Sequence, residues 1–182
     1  TQHDLSLKHQ EWLVKNFKNV EAHTVNLDKL FEAFENTLSN FDSEFGMANS
    51  RARIRMTTLY QVAAANKGIV VGTGNKVEDF GVGFYTKYGD GGVDISPIAD
   101  CNKTEVWEIG KSLNILKEIN EAAPTDGLWE DGRTDESQLG LKYAELEEAM
   151  NNVSTINREK YEKIRKMNLH KMEPIPVCKI PN

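Results

Sequence analysis

Apolar residues recur at helical spacing in several stretches of the chain, and each stretch sets one element. Residues 5–18 carry Leu5, Trp12, Leu13 and Phe17 on one side of a predicted amphipathic helix. Residues 20–27 alternate weakly and predict a short strand. Asp28 is placed to cap a helix over 28–37, with Leu30, Phe31 and Phe34 at helical spacing. A longer helix is predicted over 47–66. Lys67-Gly68 closes it, with Gly68 suited to a left-handed C-terminal position. Ile69-Val70-Val71 is a short apolar run bounded by glycine, the pattern of a buried parallel strand. Further helices are predicted over 102–113, 143–150 and 155–168, with a polar loop over 123–137 between the first two. The order helix, strand, loop, helix predicts an α/β fold, a parallel sheet with helical crossovers. The tail, with Pro174, Pro176 and Pro181, reads as extended.

Composition narrows the class. At 182 residues, 39% hydrophobic and 27% charged, the chain suits a single folded domain over 1–182. No apolar run approaches the ~18 residues that span a bilayer, so no membrane partner is expected. Cys101 and Cys178 form neither a CxxC pair nor a disulfide framework, so a reducing cytoplasmic location is expected. Four scattered histidines argue against a histidine-rich metal site. The net charge of −6 disfavours nucleic acid as a partner. That average conceals an asymmetry: residues 158–171 carry net +4, which leaves −10 on the rest. The basic segment reads as a solvated helix face or, more sharply, as a cationic arm that closes over an anionic ligand.

Candidate chemistry lies between residues 72 and 128. Gly72 and Gly74, after the predicted strand, allow a ligand to approach the backbone where α/β sheets bind ligands, although Val77 breaks a GxGxxG fingerprint. Glu78 and Asp79 either hold Mg²⁺ with phosphate oxygens or sit in the first turn of a short helix. Thr86-Lys87-Tyr88-Gly89-Asp90-Gly91-Gly92-Val93-Asp94 combines three glycines with a density of charge that a plain turn does not need, which favours a ligand loop. On the 47–66 helix, Ala52, Met56, Leu59 and Ala63 form one apolar stripe, flanked by Arg51 and Arg55 on one side and by Arg53 with Tyr60 on the other. Arg53 suits a phosphate or carboxylate, or an ordinary salt bridge. Lys103 opens a helix whose positive end disfavours a cation, a mismatch that a bound anion or solvent would relieve. Pro124-Thr125-Asp126-Gly127-Leu128 offers a hydroxyl in a rigid turn, or is simply structural.

Together these segments are far more specific than any one alone. Arg53-Ile54-Arg55-Met56, then Gly72 to Gly81, then Gly83 to Asp94, closely resemble the ammonia-dependent NAD⁺ synthetase family. Ser96-Pro97, Lys103-Thr104-Glu105-Val106, Ala123 to Leu128 and His170-Lys171 continue the match in order. The resemblance implies a Rossmann-like parallel sheet with helices on both faces, of the adenine-nucleotide α-hydrolase (N-type ATP pyrophosphatase) type. It also implies a homodimeric ligase that forms a C–N bond. Such an enzyme amidates nicotinic acid adenine dinucleotide with ammonia, converting ATP to AMP and pyrophosphate through an adenylated intermediate. Carried over by motif, Arg53, Lys87, Asp94, His170 and Lys171 would contact the dinucleotide, and Thr73, Lys103 and Thr125 would contact ATP. Glu78 would bind Mg²⁺, and Asp90 would handle ammonia or ammonium. The loop 124–137 and the basic C-terminal segment would be lids.

One departure concerns the serine- and glycine-rich SGGxDS loop with which such enzymes cradle ATP phosphates. No such motif occurs in these residues. The resemblance therefore implies that the first strand, pyrophosphate loop and first helix lie outside them, and that residues 1–182 alone do not complete turnover. The alternatives are another ATP pyrophosphatase, similar to the amination domain of GMP synthetase, and a non-catalytic remnant that binds dinucleotide or dimerises.

Overall fold

Six helices form within a few residues of where the apolar spacing places them, while two short ones, 117–120 and 135–139, form where the spacing predicts none, the second starting inside the predicted loop 123–137. The structure is a computed structural model and describes residues 2–129, 131–153 and 155–180. Its elements are α1 (Gln2–Asn16), α2 (Asp28–Thr37), a 3₁₀ turn (Ser39–Phe41), α3 (Glu44–Ala65), a π-helical turn (Val77–Val82), α4 (Lys103–Ser112), α5 (Lys117–Asn120), α6 (Asp135–Leu139), α7 (Tyr143–Met150) and α8 (Arg158–Met172). Helix α3 starts earlier than its apolar stripe suggests because the Ser43 hydroxyl accepts the Gly46 backbone N–H at 3.2 Å, an N-cap that fixes the first turn. It ends with Lys67, not Gly68, in the left-handed region (φ 53°), and the Gly68 N–H returns to the Ala63 carbonyl at 2.8 Å.

Residues 20–27 form no strand; the segment is irregular and has no neighbour with which to pair. The Rossmann-like parallel sheet with helices on both faces also differs from expectation. Among the described residues the pairing is a single parallel bridge, Val71 to Ile95. Gly72 N–H donates to the Ile95 carbonyl at 2.7 Å and Asp94 N–H to the Val70 carbonyl at 2.9 Å. Two such short segments need further strands alongside to extend into a sheet. Val70 is buried, but Ile69, Val71 and Ile95 are exposed, so the apolar run is buried only in part. Close approach of the two segments requires glycine at 72, where a Cβ would come 2.8 Å from Val93 Cγ2.

The core lies away from this bridge. It joins Val77 and Val82 of the π-helical turn to Leu139, Leu141, Tyr143 and Leu146 around α6 and α7, and to Tyr161 of α8. Helix α8 packs one side on this core through Tyr161 and Ile164, while Lys163 and Lys166 on its other side stay exposed. The π-helical turn leaves carbonyls without partners at its end, and α8 supplies the donors. Arg165 donates to the Phe80 and Gly81 carbonyls, Asn168 to Val82 at 3.0 Å, and Lys171 to Gly83 at 2.8 Å and Tyr85 at 2.7 Å. Arg165 and Lys171, two basic residues of this segment, thus also dock the helix.

Candidate functional site

An open groove of about 880 Å³ runs between α3, the 70–73 segment, α4 and the 122–128 loop. Thr73, Glu78, Asp90, Lys103 and Thr125 all line it, drawn from five separate stretches of sequence, with Met56, Leu59, Val70 and Val106 among its apolar walls. The loop that carries Thr125 is held by the flank of α3: Arg51 donates to the Leu128 carbonyl at 3.0 Å and Arg55 to the Gly127 carbonyl at 3.2 Å.

At the inner wall the Lys103 ammonium lies 2.9 Å from Glu78 Oε1, with both side chains less than one-fifth exposed. The mismatch of a cation at the start of α4 is relieved from within the protein. Glu105 accepts the Asn102 N–H at 2.7 Å, and Glu147 of α7 accepts the Thr104 N–H at 3.0 Å and its hydroxyl at 2.7 Å. Carboxylates on protein donors thus do what a bound anion would otherwise do.

Behind this pair lies Tyr143, which is fully buried. Its hydroxyl is 2.6 Å from Glu78 Oε1 and 3.0 Å from Asp135 Oδ2, and Lys103 Nζ sits 4.9 Å from its ring centroid. A phenol carries one proton and cannot donate to two ionised carboxylates at once. The hydroxyl donates to one carboxylate at a time, and protonation of Asp135, as pH falls below about 6, would complete both contacts. The electrostatics agree: loss of solvent, reinforced by the Glu78 charge, pushes the Asp135 carboxyl up to about 6. Burial and the same two carboxylates hold the Tyr143 phenol far above its ordinary value, so it stays a donor. Asp135 Oδ1 is buried without a hydrogen-bond partner. Sequence reasoning missed Asp135, Tyr143 and Glu147. Asp135 falls in the predicted polar loop 123–137 and Tyr143 opens the predicted 143–150 helix, and no local signal marks either for the site.

Two further carboxyls lie nearby. Asp79 sits over Gly74, where a Cβ would come within 2.3 Å of its oxygens. Burial, then the charges of Glu78 and Asp90, push its carboxyl up to about 6. Asp90 Oδ1 accepts the Thr86 N–H at 2.9 Å, inside a turn tied to α3 by the Thr86 hydroxyl on Asn49 at 2.7 Å. Asp90 remains open to solvent, yet the protein surrounding it on the groove side desolvates its carboxyl and raises it, against the opposing pull of the Thr86 N–H and the Lys171 charge.

Among the described residues no three metal-type side chains cluster. Mg²⁺ is commonly held by one or two carboxylates with substrate phosphates supplying further oxygens. Glu78, lining the groove and held in place by Tyr143, fits such a single-carboxylate site.

The remaining expected residues lie outside the groove lining. Arg53 Nε donates to the Lys87 carbonyl at 3.3 Å, and Lys87 Nζ to the His170 carbonyl at 2.5 Å. With Lys171, these residues form a basic neighbourhood across the 83–90 loop, in which the His170 side chain is exposed. Burial lowers the Lys171 ammonium from its ordinary value, and Asp90 opposes this. Asp94 stands apart, occupied by the Val70 N–H at 2.7 Å and the Tyr60 hydroxyl at 3.2 Å.

The NAD synthase family model matches residues 1–180. An NH₃-dependent NAD⁺ synthetase of Carboxydothermus hydrogenoformans is 41% identical over 139 residues, which cover 74% of this chain and 56% of that protein. This chain thus spans about half the length of the curated relatives it matches. Among solved structures, NMN synthetase from Francisella tularensis has a TM-score of 0.86 and 33% identity, covering 99% of this chain and 72% of that one. An NH₃-dependent NAD synthetase from Campylobacter jejuni has a TM-score of 0.65 at 24% identity, a likeness of fold that covers 88% of this chain and 67% of that one.

Proposed function

This chain belongs to the NAD synthase family, and we propose that it carries the greater part of a site that amidates the nicotinate carboxylate of a pyridine nucleotide with free ammonia. ATP is cleaved to AMP and pyrophosphate in the process. The observation that carries this reading is the convergence of Thr73, Glu78, Asp90, Lys103 and Thr125 on one groove. A carboxylate is a poor electrophile. Attack of one of its oxygens on the α-phosphorus of ATP, with cleavage of the bond to pyrophosphate, gives a mixed anhydride whose leaving group is AMP. Lys103, with Thr73 and Thr125, holds the nucleotide and offsets charge on the departing pyrophosphate. Glu78 would hold Mg²⁺, which would supply further charge neutralisation on the phosphates. Asp90, in its desolvated setting, orients ammonium and accepts a proton as ammonia attacks the acyl carbon. Arg53, Lys87, His170 and Lys171 form a basic neighbourhood suited to the anionic acid substrate, and Asp94 joins them by the family motif.

In this reading the Val70–Gly72 and Asp94–Ile95 pair is part of the parallel sheet of an N-type ATP pyrophosphatase fold. The enzyme works as a cytoplasmic homodimer; exposed Leu30, Phe41 and Phe45 around α2 and the start of α3 offer apolar surface for a second copy. Among the described residues no helix is long and apolar enough to cross a membrane.

The likeness to an NMN synthetase favours a second reading, in which the acid is the mononucleotide. The two acids share the reacting carboxylate, so one assay tests both. The purified full-length protein, not residues 1–182 alone, is given MgATP, ammonium and each acid in turn, and AMP is measured with the amide product. AMP formed only with acid and ammonium present supports the proposal, and the preferred acid decides between the readings. Absence of AMP with both acids contradicts both.

A further inference from the structure

Tyr143 has no assigned part in the chemistry, yet it is the side chain that fixes the carboxylate at the centre of the groove wall. It is fully buried, packs edge-on against Trp107 at 6.1 Å between ring centroids, and has no torsional freedom to spare. A glutamate on a turn would otherwise sample several rotamers, and holding it in one costs conformational entropy. Here the Tyr143 hydroxyl at 2.6 Å and the Lys103 ammonium at 2.9 Å converge on the same oxygen, Glu78 Oε1. Oε2 is the oxygen left for a ligand. Tyr143 is held in turn by Asp135 at 3.0 Å, a residue that is itself buried and has no other bonded partner for its second oxygen. Tyr143 of α7 thus acts on the groove through Glu78, while Asp135 of α6 both holds Tyr143 and lines the groove itself.

We propose that Tyr143, held by Asp135, is a positioning residue that presents Glu78 Oε2 to the divalent cation accompanying ATP. This rests on the role given to Glu78 in the preceding proposal. Partners of this kind orient metal-binding side chains, and their loss commonly weakens metal binding by about 10- to 100-fold.

The test uses Mn²⁺ as a spectroscopic stand-in for Mg²⁺. Its binding to the purified protein in the presence of ATP is measured by electron paramagnetic resonance, alongside ATP binding without metal by calorimetry. Tyr143→Phe is expected to weaken Mn²⁺ binding about tenfold while metal-free ATP binding stays unchanged. Asp135→Ala is expected to match it. Asp135→Asn, which retains a hydrogen-bond partner for the hydroxyl, is expected to stay close to wild type. If Tyr143→Phe binds Mn²⁺ as tightly as wild type, the positioning role is overturned while the Glu78 assignment stands. If metal-free ATP binding falls in parallel, the effect is a general loss of packing and the positioning role is again overturned. If wild type itself takes up no Mn²⁺ with ATP, the Glu78 assignment fails and the inference fails with it.

Discussion

Asp94 Oδ2 accepts the Val70 backbone N–H at 2.7 Å, and its other oxygen accepts the Tyr60 hydroxyl at 3.2 Å. One side chain therefore ties α3 to the parallel bridge. Removing it leaves a part-buried N–H without a partner, at a cost of about 1–3 kcal/mol. Asp94→Ala is expected to lower the melting temperature by several degrees, at roughly 2–4 °C per kcal/mol for a chain of this size. It should also raise the requirement for the acid nucleotide more than that for ATP. Tyr60→Phe, which removes only the weaker contact, should lower the melting temperature less and leave both requirements unchanged. Equal changes in the two requirements for Asp94→Ala would remove it from the acid site.

Glu78→Gln keeps the shape of the side chain but removes its charge. Lys103 then faces a neutral amide, and the cation loses its carboxylate. The Mg²⁺ concentration for half-maximal activity is expected to rise about tenfold or more. An unchanged magnesium titration would contradict the role of Glu78.

Asp135 gives stability a pH dependence of defined sign. Its carboxyl is raised from 3.8 to about 6 on folding. Between those values the folded protein binds a proton that the unfolded chain has released, so stability falls as pH rises through the window and levels off above it. Asp135→Asn cannot ionise. Chemical denaturation should show variant and wild type nearly alike at pH 4, with the variant more stable at pH 7.5 by about 1–3 kcal/mol. A difference that is the same at both pH values would refute the assignment.

Gly83 ends the π-helical turn with φ 65°, and a Cβ there would come 2.6 Å from Asn168 Cβ of α8. Gly83→Ala combines a left-handed alanine, costing about 1 kcal/mol, with a collision against a side-chain root that cannot swing away. The expected result is a loss of about 2 kcal/mol or more and early proteolysis within α8. Cleavage at the wild-type rate would show that α8 is docked by other means.

How much of this was legible in the sequence depends on whether the cause of each feature is local. Helices α2 and α7 fall where the spacing of Leu30, Phe31 and Phe34 and the 143–150 pattern place them, because a 3.6-residue period is written along the chain. Residues 20–27 failed as a strand because alternation alone does not supply a neighbour. The charge run at 158–171 was visible, but its purpose was not: the carbonyls that Arg165 and Lys171 serve belong to a π-helical turn some 85 residues earlier. The groove residues Thr73, Glu78, Asp90, Lys103 and Thr125 were legible as motifs and do converge. Asp94 was legible as a charged loop residue, while its bond to Val70 was not. Asp135 and Tyr143 stayed hidden because their meaning arises only when α6 and α7 close behind Glu78.

The most direct test of the proposed reaction follows one oxygen atom. The acid nucleotide is labelled with ¹⁸O in its carboxylate and turned over by the purified full-length protein with MgATP and ammonium, and the phosphorus products are read by ³¹P NMR. Adenylation of the carboxylate requires one labelled oxygen to leave in the phosphate of AMP, with none in pyrophosphate. Unlabelled AMP, or ADP with labelled inorganic phosphate, would contradict the account.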